Sequence, residues 1–292
     1  MAAPKKSKQR DVPTTGHSWD GIEELDNPMP RWWLWTFYIT IIWAVAYWVL
    51  YPTWPMLNRA TAGVLGYSSR ADVEAEVAAA DAANQVWYDR LMSTDVTAIA
   101  ADPELQRFAV NAGAAVFRAQ CSQCHGAGAD GLRSGSGFPN LLDDEWMWGG
   151  TMDDIVTTVT YGIRNTDFPD ARYSEMPSFG RDELLTSDEI DQVVNHVLAI
   201  SGQPHDTALA DAGTQLFLDN CASCHGDNGA GDTFVGAPAL NNAIWLYGGD
   251  AASIRATVTN AHFGIMPGFT NRVSAAQIRA VAAYVHQLGG GQ

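Results

Sequence analysis

Gly113-Ala-Ala-Val-Phe117-Arg-Ala-Gln-Cys121-Ser-Gln-Cys124-His125-Gly126 returns one hundred residues later as Gly213-Thr-Gln-Leu-Phe217-Leu-Asp-Asn-Cys221-Ala-Ser-Cys224-His225-Gly226. The register continues outward from these segments. Pro139-Asn-Leu matches Pro238-Ala-Leu, and Trp146-Met-Trp-Gly-Gly150 matches Trp245-Leu-Tyr-Gly-Gly249. Met176-Pro-Ser-Phe179 matches Met266-Pro-Gly-Phe269, and the apolar positions Ile190, Val193, Val194 and Val197, like Ile278, Val281, Val285 and Leu288, sit at helical spacing. A unit written twice implies two tandem domains of one fold. Each copy reads as a helix entering the Cys pair, a Gly-rich loop, a helix near 152–161 or 250–260, a loop bearing Met, and a final helix with one buried stripe. Gly113 and Phe117 lie on one helical face, as do Gly213 and Phe217. The first and last helices of each unit are therefore expected to cross there, where a missing side chain permits close approach.

In Cys-x-x-Cys-His the residues at i, i+3 and i+4 share one face of a helical turn, so two thiols reach the vinyl groups of a haem while the imidazole reaches its iron. Each pentapeptide supplies three ligands and no second pair to close a zinc tetrahedron. A redox dithiol needs no His directly after it. Cys121, Cys124, Cys221 and Cys224 are thus read as attachment points for two covalent haems c, with His125 and His225 as axial ligands. A high-potential centre that shuttles electrons wants a soft sixth ligand. Met176 and Met266 qualify because they recur in register, whereas Met147 and Met152 have no Met counterpart and read as core. His262 is a rival to Met266. Which Met serves which haem stays open, since two neighbouring loops can be exchanged. The loops opening at Pro139 and Pro238 resemble those of small cytochromes c, and that resemblance implies that each proline carbonyl accepts a hydrogen bond from the other imidazole nitrogen.

From Trp32 to Tyr51 the chain runs 20 residues without a charge, about 30 Å of helix and one bilayer core. Trp32, Trp33 and Trp35 at one end and Trp48, Tyr51 and Trp54 at the other supply interfacial rings, and Pro52 and Pro55 close the helix. A buried core helix lacks two aromatic girdles. A cleaved signal peptide has a shorter apolar core and no polar tail of thirty residues before it. The segment reads as an uncleaved anchor, with Lys5, Lys6, Lys8, Arg10 and Arg31 keeping the N-terminus cytoplasmic and the haem domains periplasmic.

The expected architecture is all-α: a tail over 1–31, a transmembrane helix over 32–51, a helical linker over 52–107, and class I-type cytochrome c domains over 108–202 and 208–292. The linker shows no chemistry. Net charge is -16, and residues 60–292 hold 11 Arg and no Lys against 28 Asp and Glu. This balance disfavours nucleic acid and favours a basic partner such as a donor cytochrome c. It also excludes a lysine-for-methionine ligand exchange. No nucleophile, general acid or substrate pocket can be named.

The run from Asp20-Gly-Ile-Glu-Glu-Leu-Asp-Asn-Pro-Met-Pro-Arg31 through Pro55 resembles the anchor of the di-haem subunit of cbb3-type cytochrome c oxidases. With the two haem motifs, the resemblance covers nearly the whole chain. It implies a bacterial inner-membrane electron-transfer subunit that takes electrons from donor cytochrome c. They would pass through a mono-haem cytochrome c subunit to the catalytic subunit, which reduces oxygen and pumps protons. Some members carry two N-terminal membrane helices, and this chain shows one convincing span. The competing readings are a membrane-bound di-haem cytochrome serving a dehydrogenase or another reductase, and a haem peroxidase, which needs an open iron site.

Overall fold

A computed structural model describes residues 12–132 and 135–290. Lys5, Lys6, Lys8 and Arg10 of the charge-bias argument lie outside the described residues. The chain falls into two compact units, Met1–Asp81 and Ala82–Gln292.

In the first unit, β1 (Thr14–Trp19) and β2 (Ile22–Leu25) form an antiparallel hairpin that the tail reading did not anticipate. Asp20 and Gly21 both take positive φ (49° and 81°), as a two-residue primed turn requires. Helix α1 spans Arg31–Leu50 and has no buried residue. By length and composition it is a candidate membrane span. Its rings stack along the helix surface, Trp33 on Phe37 and Trp43 on Tyr47, then Tyr47 on Tyr51.

Helix α2 (Ser69–Ser93) leads towards the second unit, followed by a 3-10 segment over Val96–Ala101. There α3 (Pro103–Val116) starts at an Asp102 cap with proline in its first turn, the position where the missing N–H costs nothing. A π-turn over Phe117–Cys121 leads into the short α4 (Ser122–His125). Then follow α5 (Met152–Tyr161) and α6 (Ser187–Ile200). The second copy supplies α7 (Thr207–Asn220), α8 (Ala222–His225), α9 (Ala251–Asn260) and α10 (Ala275–His286). Thr186 with Glu189, and Ser274 with Gln277, form capping boxes that start α6 and α10 at equivalent positions. The fold is mostly helical, as expected, with two short strand pairs.

The helix crossing differs from expectation in one respect. Gly113 and Gly213 do sit at close crossings, but the partners are exchanged between the copies. A Cβ on Gly113 would fall on the Ala280 carbonyl of α10, and one on Gly213 on the Gln192 carbonyl of α6. Helix α3 therefore packs on α10, and α7 on α6. One core joins Val116, Phe117, Ile155 and Val159 of the first copy to Phe269, Ile278, Val281 and Val285 of the second. The other joins Phe179, Ile190, Val193 and Val197 of the first copy to Phe217, Ile254 and Val258 of the second. The spans 108–202 and 208–292 are thus repeats in sequence, while each packed core takes its opening and middle helices from one copy and its closing helix from the other. The exchange is possible because α6 and α10 both bury an apolar stripe, Ile190, Val193 and Val197 in one and Ile278, Val281 and Val285 in the other.

The segment before 108 also does more than connect. Leu91, Val96, Ile99 and Leu105 form a third core with Ala109 of α3 and with Ala280 and Ala283 of α10. Arg279 donates from its Nη1 to the Leu91, Met92 and Thr94 carbonyls, which caps the end of α2.

Candidate functional site

Each Cys-x-x-Cys-His segment folds as a helical turn ended by a glycine with positive φ, Gly126 (80°) or Gly226 (76°). The turn sends the chain back so that His125 Nδ1 lies 3.1 Å from the Pro139 carbonyl and His225 Nδ1 2.9 Å from the Pro238 carbonyl. A carbonyl can only accept, so Nδ1 carries the proton and Nε2 keeps its lone pair free for a metal. Burial lowers both imidazole pKa values against the opposing pull of the proline carbonyls, which keeps the rings neutral. The four thiols are free. Burial, reinforced by the neighbouring Cys124, pushes the Cys121 thiol up to about 11, and burial together with Cys224 does the same for Cys221. Each pair of free thiols stands at the i, i+3 spacing that addition across the two vinyl groups of one haem requires.

The methionines enter from the other copy. Met266 and Cys121 both pack against the first core, and Met176 and Cys221 against the second. Backbone pairing fixes this placement. Strand β3 (Gly162–Ile163) pairs antiparallel with β4 (Met266–Pro267), with Ile163 opposite Met266. Phe269 N donates to the Val159 carbonyl at 3.0 Å. On the other side Gly180 N and Arg181 N donate to the Thr259 carbonyl, and the Ser178 hydroxyl to that of Asn260 at 2.8 Å. Each methionine loop is thus tied to the end of the middle helix that belongs to the opposite copy. His262 lies outside this arrangement, stacked on Tyr247 with ring centroids 3.8 Å apart. Met152 packs in the core, as its missing counterpart suggested.

Three polar side chains that sequence reasoning passed over complete the site. Glu145 of the first copy accepts from Ala239 N at 2.8 Å and Asn242 Nδ2 at 2.7 Å, which anchors the Pro238 loop. Arg172 donates to the Trp148 carbonyl and to Asp154, at 2.7 and 2.8 Å, and leaves a buried Nε without a partner among the described residues. A haem carries two carboxylates, and an orphaned guanidinium N–H is the kind of donor they satisfy. Arg164 reaches carbonyls on both methionine loops. The available signal was unequal loop length: thirteen residues, 163–175, precede Met176 where four, 262–265, precede Met266.

Neutral, tautomer-fixed imidazoles, paired free thiols, thioethers across an apolar core and an unpaired buried donor together fit covalently held haem c. The family described as the N-terminal domain of cytochrome oxidase-cbb3, FixP, matches residues 11–58. The family described as cytochrome c oxidase, cbb3-type, subunit III, matches residues 108–197 and again 208–285. The chain is 60% identical over 289 residues to the cbb3-type cytochrome c oxidase subunit CcoP of Cereibacter sphaeroides, covering 99% of both chains. It is 54% identical to CcoP of Rhodobacter capsulatus, again over 99% of both. It is 49% identical to the FixP subunit of Rhizobium meliloti over 96% of both. On this sequence likeness and this site, the chain belongs to the haem c-binding, electron-transferring subunit III family of the membrane-bound cbb3-type cytochrome c oxidases.

Proposed function

We propose that this subunit carries two haems c with crossed axial ligation. One is bonded to Cys121 and Cys124, with His125 and Met266 on its iron. The other is bonded to Cys221 and Cys224, with His225 and Met176. The observation that carries this assignment is the packing of Met266 in the core of Cys121 and of Met176 in the core of Cys221. When bound, each haem supplies a one-electron iron couple. The chain holds the imidazole proton on Nδ1 through Pro139 or Pro238, presents the thioether opposite, and surrounds both with Val, Ile and Phe that exclude water. A closed, soft-ligated site favours reversible electron passage over oxygen binding.

Donor cytochrome c delivers electrons to this pair of centres, and they leave through the mono-haem cytochrome c subunit for the catalytic subunit, where oxygen is reduced. The acidic balance of residues 60–292 suits a basic donor. Helix α1 crosses the inner membrane with the lysine-bearing tail in the cytoplasm and the haem-binding unit in the periplasm, the orientation that the positive-inside bias favours. The reading is tested by mass spectrometry and pyridine-haem analysis of the mature chain purified from membranes. Two haem masses per polypeptide are expected, and a mass equal to bare protein defeats it.

A further inference from the structure

The nine extra residues that lengthen the first methionine loop hold one side chain that touches both methionine loops. Arg164 takes a left-handed backbone conformation, φ 52°, directly after Ile163, the residue paired with Met266. Its own N–H donates to the Arg172 carbonyl at 2.7 Å, which closes the insertion on itself. From there the guanidinium sends Nε to the Ser174 carbonyl at 2.7 Å and Nη1 to the Gly264 carbonyl at 3.0 Å. Ser174 stands two residues before Met176, and Gly264 two residues before Met266. The guanidinium also lies over Phe263, 5.5 Å from the ring centroid. Phe263 meets Tyr173 edge to face at 6.1 Å. These two rings stand three residues before their respective methionines. The loops therefore touch at equivalent positions, and a single fork-shaped donor joins their equivalent carbonyls.

We infer that Arg164 is a shared positioning residue that fixes both methionine loops at once and lends both irons the field of one cation. Three features of the chemistry support this. A planar guanidinium holds two acceptors at a set separation, which an ammonium does not. Its partners are carbonyls, and among the described residues it forms no ion pair that would cancel its charge. A nearby cation also stabilises the less positive, reduced form of each iron centre. The second copy offers no equivalent of Arg164, so the cross-brace depends on this one side chain.

The inference rests on the crossed His/Met ligation proposed above, and its test separates the two. The full-length haem-loaded chain is titrated potentiometrically and heated while the Met-to-iron charge-transfer absorption of both haems is followed. For Arg164→Gln both reduction equilibria should move toward the oxidised form by about threefold to tenfold, up to ~59 mV per haem. Both Met bands should also fade at lower temperature. For Arg164→Lys the potentials should stay within about twofold of the parent, because the charge remains, while both bands still lose thermal resistance. A change confined to one haem, or none, overturns the shared brace. Potentials that fall as far with Lys as with Gln overturn the electrostatic half. Absence of Met bands from the unsubstituted chain overturns the ligation itself, and the brace with it.

Discussion

Replacing Met266 by Ala should strip the thioether from the haem held by Cys121 and Cys124, although the two lie in different sequence repeats. Met266 is half-buried against the core that contains Val159, Phe269 and Val281. Truncating a fully buried Met costs about 2–5 kcal/mol, so a half-buried one belongs at the low end, about 2 kcal/mol. For a unit the size of Ala82–Gln292, each kcal/mol lowers the melting temperature by about 2–4 °C, which gives a drop of roughly 4–8 °C. The spectroscopic consequence decides the pairing. In a full-length chain carrying Cys221→Ala and Cys224→Ala, only the first haem is attached. Met266→Ala in that background should abolish its Met-to-iron band, whereas Met176→Ala should leave the band in place. The reciprocal background, with Cys121→Ala and Cys124→Ala, should show the opposite dependence. If Met176→Ala removes the band from the chain that holds only the Cys121 haem, the crossed assignment is refuted.

Other perturbations probe the scaffold. Gly213→Ala places a Cβ on the Gln192 carbonyl and should cost about 1–3 kcal/mol by overpacking, read as a lower melting temperature. An unchanged melt would mean that the α6–α7 crossing is looser than described. Glu145→Ala frees Ala239 N and Asn242 Nδ2; it should destabilise the unit by about 2 kcal/mol and perturb the His225 haem alone. Asp154 is pushed up by burial, but the Thr151 hydroxyl and then Arg172 outweigh this and hold its pKa below the ordinary 3.8. Its contribution is therefore complete above that value and lost as pH falls through the lowered one. Asp154→Asn should melt earlier than the parent at about pH 7, and the gap should close progressively as pH falls below 3.8. Reduction by a basic cytochrome c should slow steeply as salt screens the acidic surface, and a flat dependence argues against electrostatic steering.

The repeat, the Cys-x-x-Cys-His segments and the apolar span were legible in the sequence because each is a pattern of residue types at regular spacing, whereas the proline carbonyls were expected only through the resemblance to small cytochromes c, their distance from His differing between the copies, 14 residues against 13. The exchange of closing helices was not. Ile190, Val193 and Val197 of α6 and Ile278, Val281 and Val285 of α10 lie in the same stripe, opposite the same Gly-x-x-x-Phe face of α3 or α7. Either helix satisfies either face, so periodicity carries no information about partner choice. What selects the partner lies outside the stripes, in contacts that the repeat does not share. Leu91, Val96 and Ile99 pack on Ala280 and Ala283, and Arg279 caps α2. In α6, Asn195 and His196 stand where α10 has Ala283 and Tyr284. Those unequal residues bind α10 to the start of the unit, leaving α6 for α7.

Exchange also changes what the subunit can do as an electron carrier. In two self-contained domains a distortion at one methionine loop would stop at a linker. Here Met266 is hydrogen-bonded through β4 to the end of α5, whose Asp154 binds Arg172 of the other methionine loop. That loop returns through Ser178 and Gly180 to the end of α9. The path closes on itself, and Glu145 adds a strut from the first copy to the loop that supports His225. Under the crossed ligation proposed above, ligand geometry at one iron would then be set partly by residues that serve the other. Electron transfer favours centres whose ligands move little between oxidation states, and a closed ring of mutual supports resists such movement better than two hinged domains.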